Sequence, residues 1–472
     1  MQLTTSLDQN MRMLDDILRT DINFDMLKKN IQIAGVDGVL YTIDGFFKDS
    51  VLEKIMEFLE GLESSQFSLD NLDIFLKSKL PYVEISTYDD DQQLSDAVLM
   101  GQTAMLLDGF SKGIVLDLRT YPQRGIEEPD KEKVLRGSHD GFSETVVQNT
   151  CLIRRRIRTP KLTMRYISLG KMSKTDIVIS YIEGLANAQL VEKIVQRLSE
   201  VSVRAATMSF ESICEAVVGK NMWNPFPKVR YTERPDTASA NILDGKIALI
   251  VDNSPTVMIL PTCLLDFTQD IEDFYLPPFT GNYLRLIRNI TTLLTMILTP
   301  VWLLLLQNEA ALPSWLSFIT IKEPIDLPVI VQLLILEVAI DGLLIASLNT
   351  PSTLSGAFSI IGGLLLGEFA VRAQVVVTES ILFMAFVAIA SYLEPSYELS
   401  YAIKFIRIGL LLLTHFFGLY GFIGGIILSI VLAAASKTIS GEHYLYPMIP
   451  FHWERLKSYL FRRKIKVYPK RK

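Results

Sequence analysis

LIRNITTLLTMILTPVWLLLL, residues 286–306, opens the part of this chain that decides its fold. Two further apolar runs follow, at 327–348 and 405–435. An apolar run of about 20 residues matches a hydrocarbon core of about 30 Å, so these runs predict membrane helices. Before Arg285 the chain carries charged residues throughout, which is typical of a domain in water. The sequence therefore predicts a soluble N-terminal region followed by a helical membrane domain.

The soluble region alternates short apolar runs with helical periodicity. Strands are predicted at 113–117, 177–182 and 246–252, and helices at 50–62 and 187–198. This alternation predicts a mixed sheet with helices packed on it, and we detect no internal repeat.

The predicted fold class is an α/β cytosolic N-terminal region of two subdomains followed by an all-α multi-span membrane domain. A polar stretch at 121–141 separates the subdomains. The predicted boundaries are 1–135 and 136–280 for the subdomains, 281–452 for the membrane domain and 453–472 for a basic cytosolic tail.

The membrane domain holds about four to five apolar segments. One of them, 354–370, is short and rich in small residues, and either spans or re-enters the bilayer. The run at 405–435 is too long for one straight span. It carries several glycines that could break it, namely Gly418, Gly421, Gly424 and Gly425.

Charge is distributed unevenly along the 472 residues, whose mean hydropathy is +0.29. The tail Glu454–Lys472 holds nine Lys/Arg and one acid, a net charge of +8, whereas the whole chain carries −6. A basic segment after a membrane helix predicts a cytosolic position and contact with anionic lipid. The acidic soluble region disfavours nucleic acid as a partner. The first residues, MQLTTSLDQN, lack a signal-peptide pattern, so both termini are expected in the cytosol.

Signatures of enzymes and metal sites are missing from the sequence. It contains no G-x-S-x-G, no G-x-x-x-x-G-K-[ST] and no G-x-G-x-x-G motif. The four histidines and three cysteines lie too far apart for metal-ligand spacing. We therefore expect no catalytic residues, no cofactor and no metal.

Ionisable residues inside apolar segments are the sharper signal, because a charge at bilayer depth is costly. Glu337 and Asp341 lie four residues apart, on one helix face. They predict either a cation-attracting face or proton-binding pair, or else a polar contact between helices or one carboxyl group that the apolar setting keeps protonated. Glu368 and Arg372 have the same spacing and predict a structural ion pair near the membrane boundary. In the soluble region, Arg234 stands between acids, with Glu233 beside it, and predicts a further ion-pair network.

The small residues of 354–370 predict either close helix packing or the lining of a narrow pore formed by several copies. The candidate pore-lining residues are Gly356, Ser359, Gly362, Gly363, Leu366, Gly367 and Glu368. The candidates for contact with ions are Glu337, Asp341 and Glu368.

Several short motifs occur in a fixed order along the chain. They are Glu128-Pro129-Asp130, Arg136-Gly137-Ser138-His139-Asp140-Gly141-Phe142, Arg154–Arg158, Lys174-Thr175-Asp176, Tyr231–Asp236, Val251–Pro255, Gly362–Glu368 and Pro395–Ser400. Together they resemble the GerA family of bacterial spore germination proteins over about residues 100–452.

The resemblance implies a multi-pass protein of the spore inner membrane, with its soluble region and both termini on the spore core side. It implies a homo-oligomer, expected to be a pentamer, that forms a channel for monovalent cations and acts with other spore germination membrane subunits. Glu128-Pro129-Asp130 and Tyr231–Asp236 favour a stage V sporulation type within the family. The alternatives are the A subunit of a nutrient germinant receptor complex and a non-conducting scaffold for a separate channel. Glu368 departs from the neutral Gln that is frequent in the family, and a ring of acids would favour cations.

Overall fold

The computed structural model describes residues 1–63, 72, 76, 80, 82–121, 132, 136–170, 174–200, 209–218, 224–308, 312–321, 326–349, 360, 370–373 and 375–462. The chain divides into two compact units. Unit 1 comprises Met1–Lys220 and Val229–Pro261, and unit 2 comprises Asn221–Lys228 and Thr262–Lys472.

Unit 1 is an α/β unit with two five-stranded sheets in its described part. Its helices are α1 Leu7–Leu18, α2 Asp49–Glu60, α3 Asp91–Leu99, α4 Val146–Arg156, α5 Ala188–Glu200, α6 Ser209–Val218 and α7 Pro235–Leu243. The first sheet contains β1 Met26–Ile33, β2 Val36–Ile43, β3 Ile85–Tyr88, β4 Thr103–Leu107 and β5 Gly113–Leu116. The second contains β6 Leu162–Leu169, β7 Thr175–Ile182, β8 Arg230–Thr232, β9 Ile247–Val251 and β10 Val257–Leu260.

The first sheet is buried on both faces, because alternate residues of its central strands enter different cores. Val39 and Tyr41 of β2 pack in the core that includes Leu14 of α1, whereas Leu40 packs in the core that includes Ile55 of α2. The prediction of a mixed sheet was wrong. Every strand pairing among the described residues is antiparallel. Hairpins join β1 to β2 and β4 to β5, and two strands that a hairpin joins can pair only in the antiparallel direction.

The two subdomains repeat one topology, which the sequence analysis did not detect. Each begins with a helix and a hairpin, and each orders its strands first-second-fourth-fifth-third. The correspondence extends to the last hairpins, GQTAMLLDGFSKGIVL at 101–116 and GKIALIVDNSPTVMIL at 245–260. Gly101 and Gly245, which open these stretches, have φ of 92° and 90°, a conformation that favours glycine. We conclude that unit 1 is an internal duplication.

Two aspartates hold the first helix of each subdomain in the same way. Asp108 Oδ1 accepts the N–H of Leu7 at 3.0 Å, and Asp252 Oδ1 accepts the N–H of Val146 at 3.1 Å. Leu7 and Val146 are the first residues of α1 and α4. A carboxylate at this place satisfies an amide that has no partner within the helix and faces the positive end of the helix dipole.

A buried ion pair joins the two subdomains. Arg154, whose side chain is 0% exposed, donates Nε to Asp25 Oδ2 at 2.8 Å and Nη2 to Asp25 Oδ1 at 2.9 Å. Its Nη1 donates to the carbonyl of Leu162 at 3.1 Å. Nearby, the Cys151 thiol donates to the carbonyl of Asp44, and burial raises the pKa of Cys151 to about 12, so this thiol stays protonated at neutral pH.

Unit 2 is helical. Its helices are α8 Glu272–Tyr275, α9 Pro278–Gln307, α10 Val329–Asn349, α11 Ala370–Arg372, α12 Thr378–Ser391, α13 Tyr397–Ala435 and α14 Trp453–Leu460, with 3-10 turns at Leu264–Asp266 and Ser314–Ile319. Among the described residues, three helical stretches are long and apolar enough to cross a membrane: Pro278–Gln307, Val329–Ser347 and Tyr397–Ala435. The apolar helix α12 is shorter.

The helix α13 reverses direction at Gly418, where φ is 56° and ψ is −134°. Leu410 Cδ2 lies 2.6 Å from the position that a Cβ on Gly425 would take, whereas a straight helix would separate these residues by about 22 Å. The predicted break of the long run is therefore confirmed at Gly418. A Cβ on Gly421 would clash with the carbonyl oxygen of Leu413, so glycine lets the two arms, 397–417 and 419–435, approach closely.

We expect Arg154→Met to lower the free energy of unfolding by about 3–5 kcal/mol, because it leaves the Asp25 carboxylate buried without a cation. Thermal or denaturant unfolding of the purified full-length protein measures this change. Arg158→Met, at an exposed position of the same basic run, is the control. Adding Asp25→Leu to Arg154→Met should recover part of the loss, and equal stability of the two Arg variants would contradict the assignment.

We also expect Asp108→Ala and Asp252→Ala each to cost about 1 kcal/mol, because each removes the acceptor at a helix start. Glu53→Ala, at an exposed position of α2, controls for the loss of one acid. The same unfolding measurement applies. A cost at one aspartate and none at the other would show that the two capping interactions are not energetically equivalent.

Candidate functional site

The first arm of α13 brings two cations against the two acids that α10 carries. Glu337 and Asp341 lie one turn apart on α10, and Lys404 and Arg407 lie one turn apart on α13. We call these four residues the ion-pair cluster. Its members come from helices that are separated by about 50 residues of chain, so only the packed bundle assembles it.

The strongest contact in the ion-pair cluster is bidentate. Arg407 donates Nε to Glu337 Oε1 at 2.7 Å and Nη2 to Glu337 Oε2 at 2.9 Å. Lys404 Nζ lies 2.5 Å from Asp341 Oδ2 and 3.4 Å from Glu337 Oε2. Two acids thus face two cations, and the cluster as a whole is neutral when all four groups are ionised.

Burial makes this pairing necessary. The side chains of Arg407 and Glu337 are 4% and 3% exposed. Arg407 Nη1 also donates to the carbonyl of Thr295 at 3.1 Å, and Thr295 lies near the middle of the apolar run 286–306. A single charge at this depth would be strongly unfavourable, whereas a hydrogen-bonded pair satisfies both partners.

Lys404 and Arg407 stand at the start of the last apolar run, where the sequence predicts anchors at the membrane interface, and for Arg407 this prediction is wrong. Its guanidinium is buried against Glu337, 70 residues earlier in the chain, and against the α9 backbone. One feature of the sequence could have indicated this burial: Arg407 lies inside the apolar run 405–435, whereas Lys404 lies just before it. Nothing local to that run identifies the partner helix.

The space beside the ion-pair cluster is small. A cavity of about 70 Å³ is lined by its four residues together with Tyr392, Tyr397 and Tyr401 among others. A water molecule takes about 30 Å³ of liquid volume, so the cavity could hold only a few waters. It is a pocket at the side of a packed bundle, whose apolar centre holds Trp302, Leu333 and Leu411.

The predicted pore segment cannot be compared with these helices. Gly356, Ser359, Gly362, Gly363, Leu366, Gly367 and Glu368 all lie outside the described residues. Arg372 lies on α11 with its side chain exposed, and its predicted partner Glu368 is not described. The pore assignment and the Glu368–Arg372 pair therefore stay predictions.

In unit 1, Arg234 is buried and donates Nη2 to Asp236 Oδ2 at 2.7 Å and Nε to Asp236 Oδ1 at 3.1 Å. Its Nη1 and Nη2 also donate to the carbonyls of Glu132 and Ser138, at 2.9 and 2.7 Å. Glu233 contributes its backbone N–H, which donates to Glu132 Oε2 at 2.8 Å. Burial raises the pKa of Glu132, although this N–H counteracts the shift. These contacts tie the end of β8 to Glu132 and Ser138.

We expect Glu337→Gln to destabilise unit 2 by about 3–5 kcal/mol, since it leaves the Arg407 charge buried with a neutral neighbour. Glu379→Gln, on the first turn of α12, controls for removing a carboxylate from the helical unit. Thermal unfolding of the full-length protein in detergent measures both. The exchange of Glu337→Arg with Arg407→Glu should restore part of the loss, and no difference between Glu337→Gln and the control would overturn the pairing.

Comparison with known proteins assigns the family. The Bacillus/Clostridium GerA spore germination protein family matches residues 12–472. Stage V sporulation protein AF of Bacillus subtilis (strain 168) is 34% identical over 440 residues, which cover 93% of this chain and 89% of the relative. Spore germination protein KA of the same organism is 27% identical over 445 residues, 93% of this chain and 81% of the relative.

A crystal structure of the N-terminal domain of the A subunit of the Bacillus megaterium spore germinant receptor GerK3 is also similar. It is 21% identical, with a TM-score of 0.43, and the alignment covers 55% of this chain and 96% of that domain. The family predicted from the short motifs is thus confirmed by the match over nearly the whole length. This chain belongs to the GerA family of spore germination proteins, as a membrane protein related to Stage V sporulation protein AF and to germinant receptor A subunits.

Proposed function

We propose that this protein is a subunit of an oligomeric cation channel, of the Stage V sporulation protein AF type, that releases monovalent ions or amplifies their release in germination. The observation that carries the proposal is the family match through the whole helical unit, to residue 472. The 34% identity to Stage V sporulation protein AF favours that type. The proposal places the chain in the spore inner membrane, with unit 1 and the tail on the core side, and assigns it no enzymatic step.

The ion path is proposed to run between copies of the chain. In support, the described helices of one chain pack around Trp302 and Leu333, and their charged cluster adjoins a cavity of only about 70 Å³. A path along the small-residue segment 356–368 of several copies, expected to be five, needs no such cavity within one chain. Glu368 would then supply a ring of acids that favours cations.

A non-conducting scaffold for a separate channel is the second candidate, and the ion-pair cluster favours it. Glu337 and Asp341 are each engaged by a cation of the same chain, so their charge is already compensated. On this proposal both acids serve packing, and the ions pass through another germination membrane subunit. Attraction of ions by Glu337 and Asp341 stays a prediction that flux measurements distinguish. The third candidate is the A subunit of a nutrient germinant receptor, since Spore germination protein KA is also a relative.

The test is K⁺ flux from liposomes that contain the purified full-length protein, alone and with other germination membrane subunits. Gly363→Leu should change the flux at unchanged protein content, because a large side chain would obstruct a narrow pore. Gly424→Leu is the matched control, since a Cβ at Gly424 has no atom within 4 Å. Glu368→Gln should lower the preference for K⁺ over Cl⁻, which is measured from the reversal potential.

The outcomes separate the channel from the scaffold. Flux that changes with Gly363→Leu and not with Gly424→Leu supports a channel with its pore at 356–368. Flux that is equal in both variants removes the pore assignment while keeping the channel. No flux from assembled oligomers in any combination leaves the scaffold as the function.

A further inference from the structure

The chain ends, in its described part, with apolar side chains that unit 2 does not cover. We call residues 448–461 the C-terminal segment. It includes α14, whose residues are all at least partly exposed, and Phe451 and Trp453 are 69% and 55% exposed. Their rings stack at 6.3 Å, and Phe461 at the other end of α14 is exposed as well. An exposed aromatic cluster of this kind marks a surface that meets another molecule or a membrane.

The other side of the C-terminal segment is held firmly to the start of α9. Arg285 Nη1 donates to the carbonyls of Ser458 and Tyr459 at 3.4 and 3.1 Å, at the negative end of α14. The backbone N–H of Arg462 donates to Asn282 Oδ1 at 2.6 Å. These hydrogen bonds with Asn282 and Arg285, one turn apart on α9, therefore fix the position of the C-terminal end of α14 along α9.

The Tyr459 hydroxyl adds a contact to the segment that leads into α9, donating to Asp266 Oδ1 at 3.0 Å. Burial raises the pKa of Tyr459 above its usual value, so this hydroxyl remains a donor at any physiological pH. Asp266 also accepts the N–H of Cys263 at 2.8 Å. Hydrogen bonds to Asp266 and to the start of α9 thus hold α14 in place, with Trp453 exposed.

Arg285 lies near the predicted edge of the hydrocarbon core, and the charged Arg288 still follows it one turn later. The apolar run of α9 begins at Leu286, the next residue. One and two turns before it, Tyr283 and Phe279 are exposed, the latter to 87%. Trp, Tyr and Phe side chains at the ends of membrane helices lie at the level of the lipid headgroups. Trp453 lies five residues before Ser458, about 7.5 Å along α14, and is therefore close to this level, with Phe451 stacked on it.

The charge of the same region selects the kind of membrane surface. Residues 454–472 carry nine Lys/Arg against one acid. Arg455 and Lys457 are exposed on α14 itself, and Lys457 lies one turn from Trp453 on the same face. Cations near an interfacial helix gain energy from anionic lipid, and apolar side chains beside them enter the headgroup layer. A protein partner would explain the aromatic residues equally well, but the basic run and the membrane level together favour lipid.

We propose that the C-terminal segment is an interfacial anchor that binds anionic phospholipid headgroups, with Phe451, Trp453 and Phe461 in the headgroup layer and Arg455 and Lys457 on the lipid phosphates. The inference extends the membrane assignment and does not depend on ion conduction. Since Arg285 and Asn282 bind the same segment, the anchor fixes the start of α9 relative to one leaflet.

The test is tryptophan quenching in the full-length protein, reconstituted in vesicles of phosphatidylcholine alone or with phosphatidylglycerol. The chain has four tryptophans, so the signal of Trp453 is the difference between the wild type and Trp453→Phe. Nitroxide lipids labelled near the headgroup should reduce this signal more than lipids labelled deep in the acyl chain. The reduction should grow with phosphatidylglycerol, and Arg455→Gln with Lys457→Gln should abolish that growth.

Two results would overturn the proposal. Quenching of Trp453 by aqueous iodide, with none by either nitroxide lipid, would place the segment in water. Protection from both quenchers would mean that a protein surface, such as a second copy, covers it. Quenching by shallow lipid labels that is equal in both lipid compositions would keep the interfacial position and reject the anionic specificity. None of these readouts requires the protein to conduct ions.

Discussion

A guanidinium and a carboxylate that meet inside an apolar bundle constrain the helical unit more than any other contact. Arg407 and Glu337 are both buried, so each would be an uncompensated charge at that depth without the other. Because Arg407 also reaches the α9 backbone at Thr295, one side chain links three helices. Apolar packing alone leaves helices free to slide and rotate in lipid, whereas a bidentate pair sets both rotation and register. Lys404 and Asp341 repeat the arrangement one turn away.

In unit 1, a buried ion pair likewise fixes how two parts of the structure pack together. Its two halves share a topology and the aspartate that holds the first helix of each, so each half is a complete folding pattern. The two halves meet at a buried ion pair, in which Arg154 of the second half binds Asp25 of the first. Removing one partner of such a pair costs about 3–5 kcal/mol, because the other charge would be left buried without a counter-charge. The repeated topology thus determines the fold of each half, and the ion pair determines how the two halves pack together.

Local patterns in the sequence predicted much of this fold. The apolar runs identified the three long helices, and the glycines of 405–435 identified where one of them turns back. Strand runs such as 177–182 and 246–252 were also correct, since a short apolar run bounded by polar residues is a local signal. The antiparallel pairing was not predictable in that way, because pairing is decided by contacts between distant segments.

The duplication escaped sequence analysis for a related reason. The stretches 101–116 and 245–260 agree mostly in the size and polarity of their residues, and identity is confined to Gly101, Ala104, Asp108 and Leu116 with their counterparts. The partner of Arg407 was equally hidden, because charge complementarity does not reveal which of many acids a cation contacts. Within the candidate site, sequence reasoning named both acids and misplaced one of the cations. The small-residue segment from Gly356 to Glu368 rests on the sequence alone.

The turn at Gly418 has a consequence for how the chain is threaded through a membrane. The helix α13 returns on itself, since Leu399 and Ala402 near its start share an apolar core with Ala433 near its end, so residues after Ala435 continue from the side on which α13 begins. Were the two arms joined into one straight rod, the tail and its nine cations would have to be carried to the opposite face. Translocating that much positive charge is strongly disfavoured. The basic tail and Gly418 lie at opposite ends of the arm 419–435, and both favour the same topology. The tail does so because its charge is costly to move across a membrane, and Gly418 does so because its backbone conformation turns the helix back.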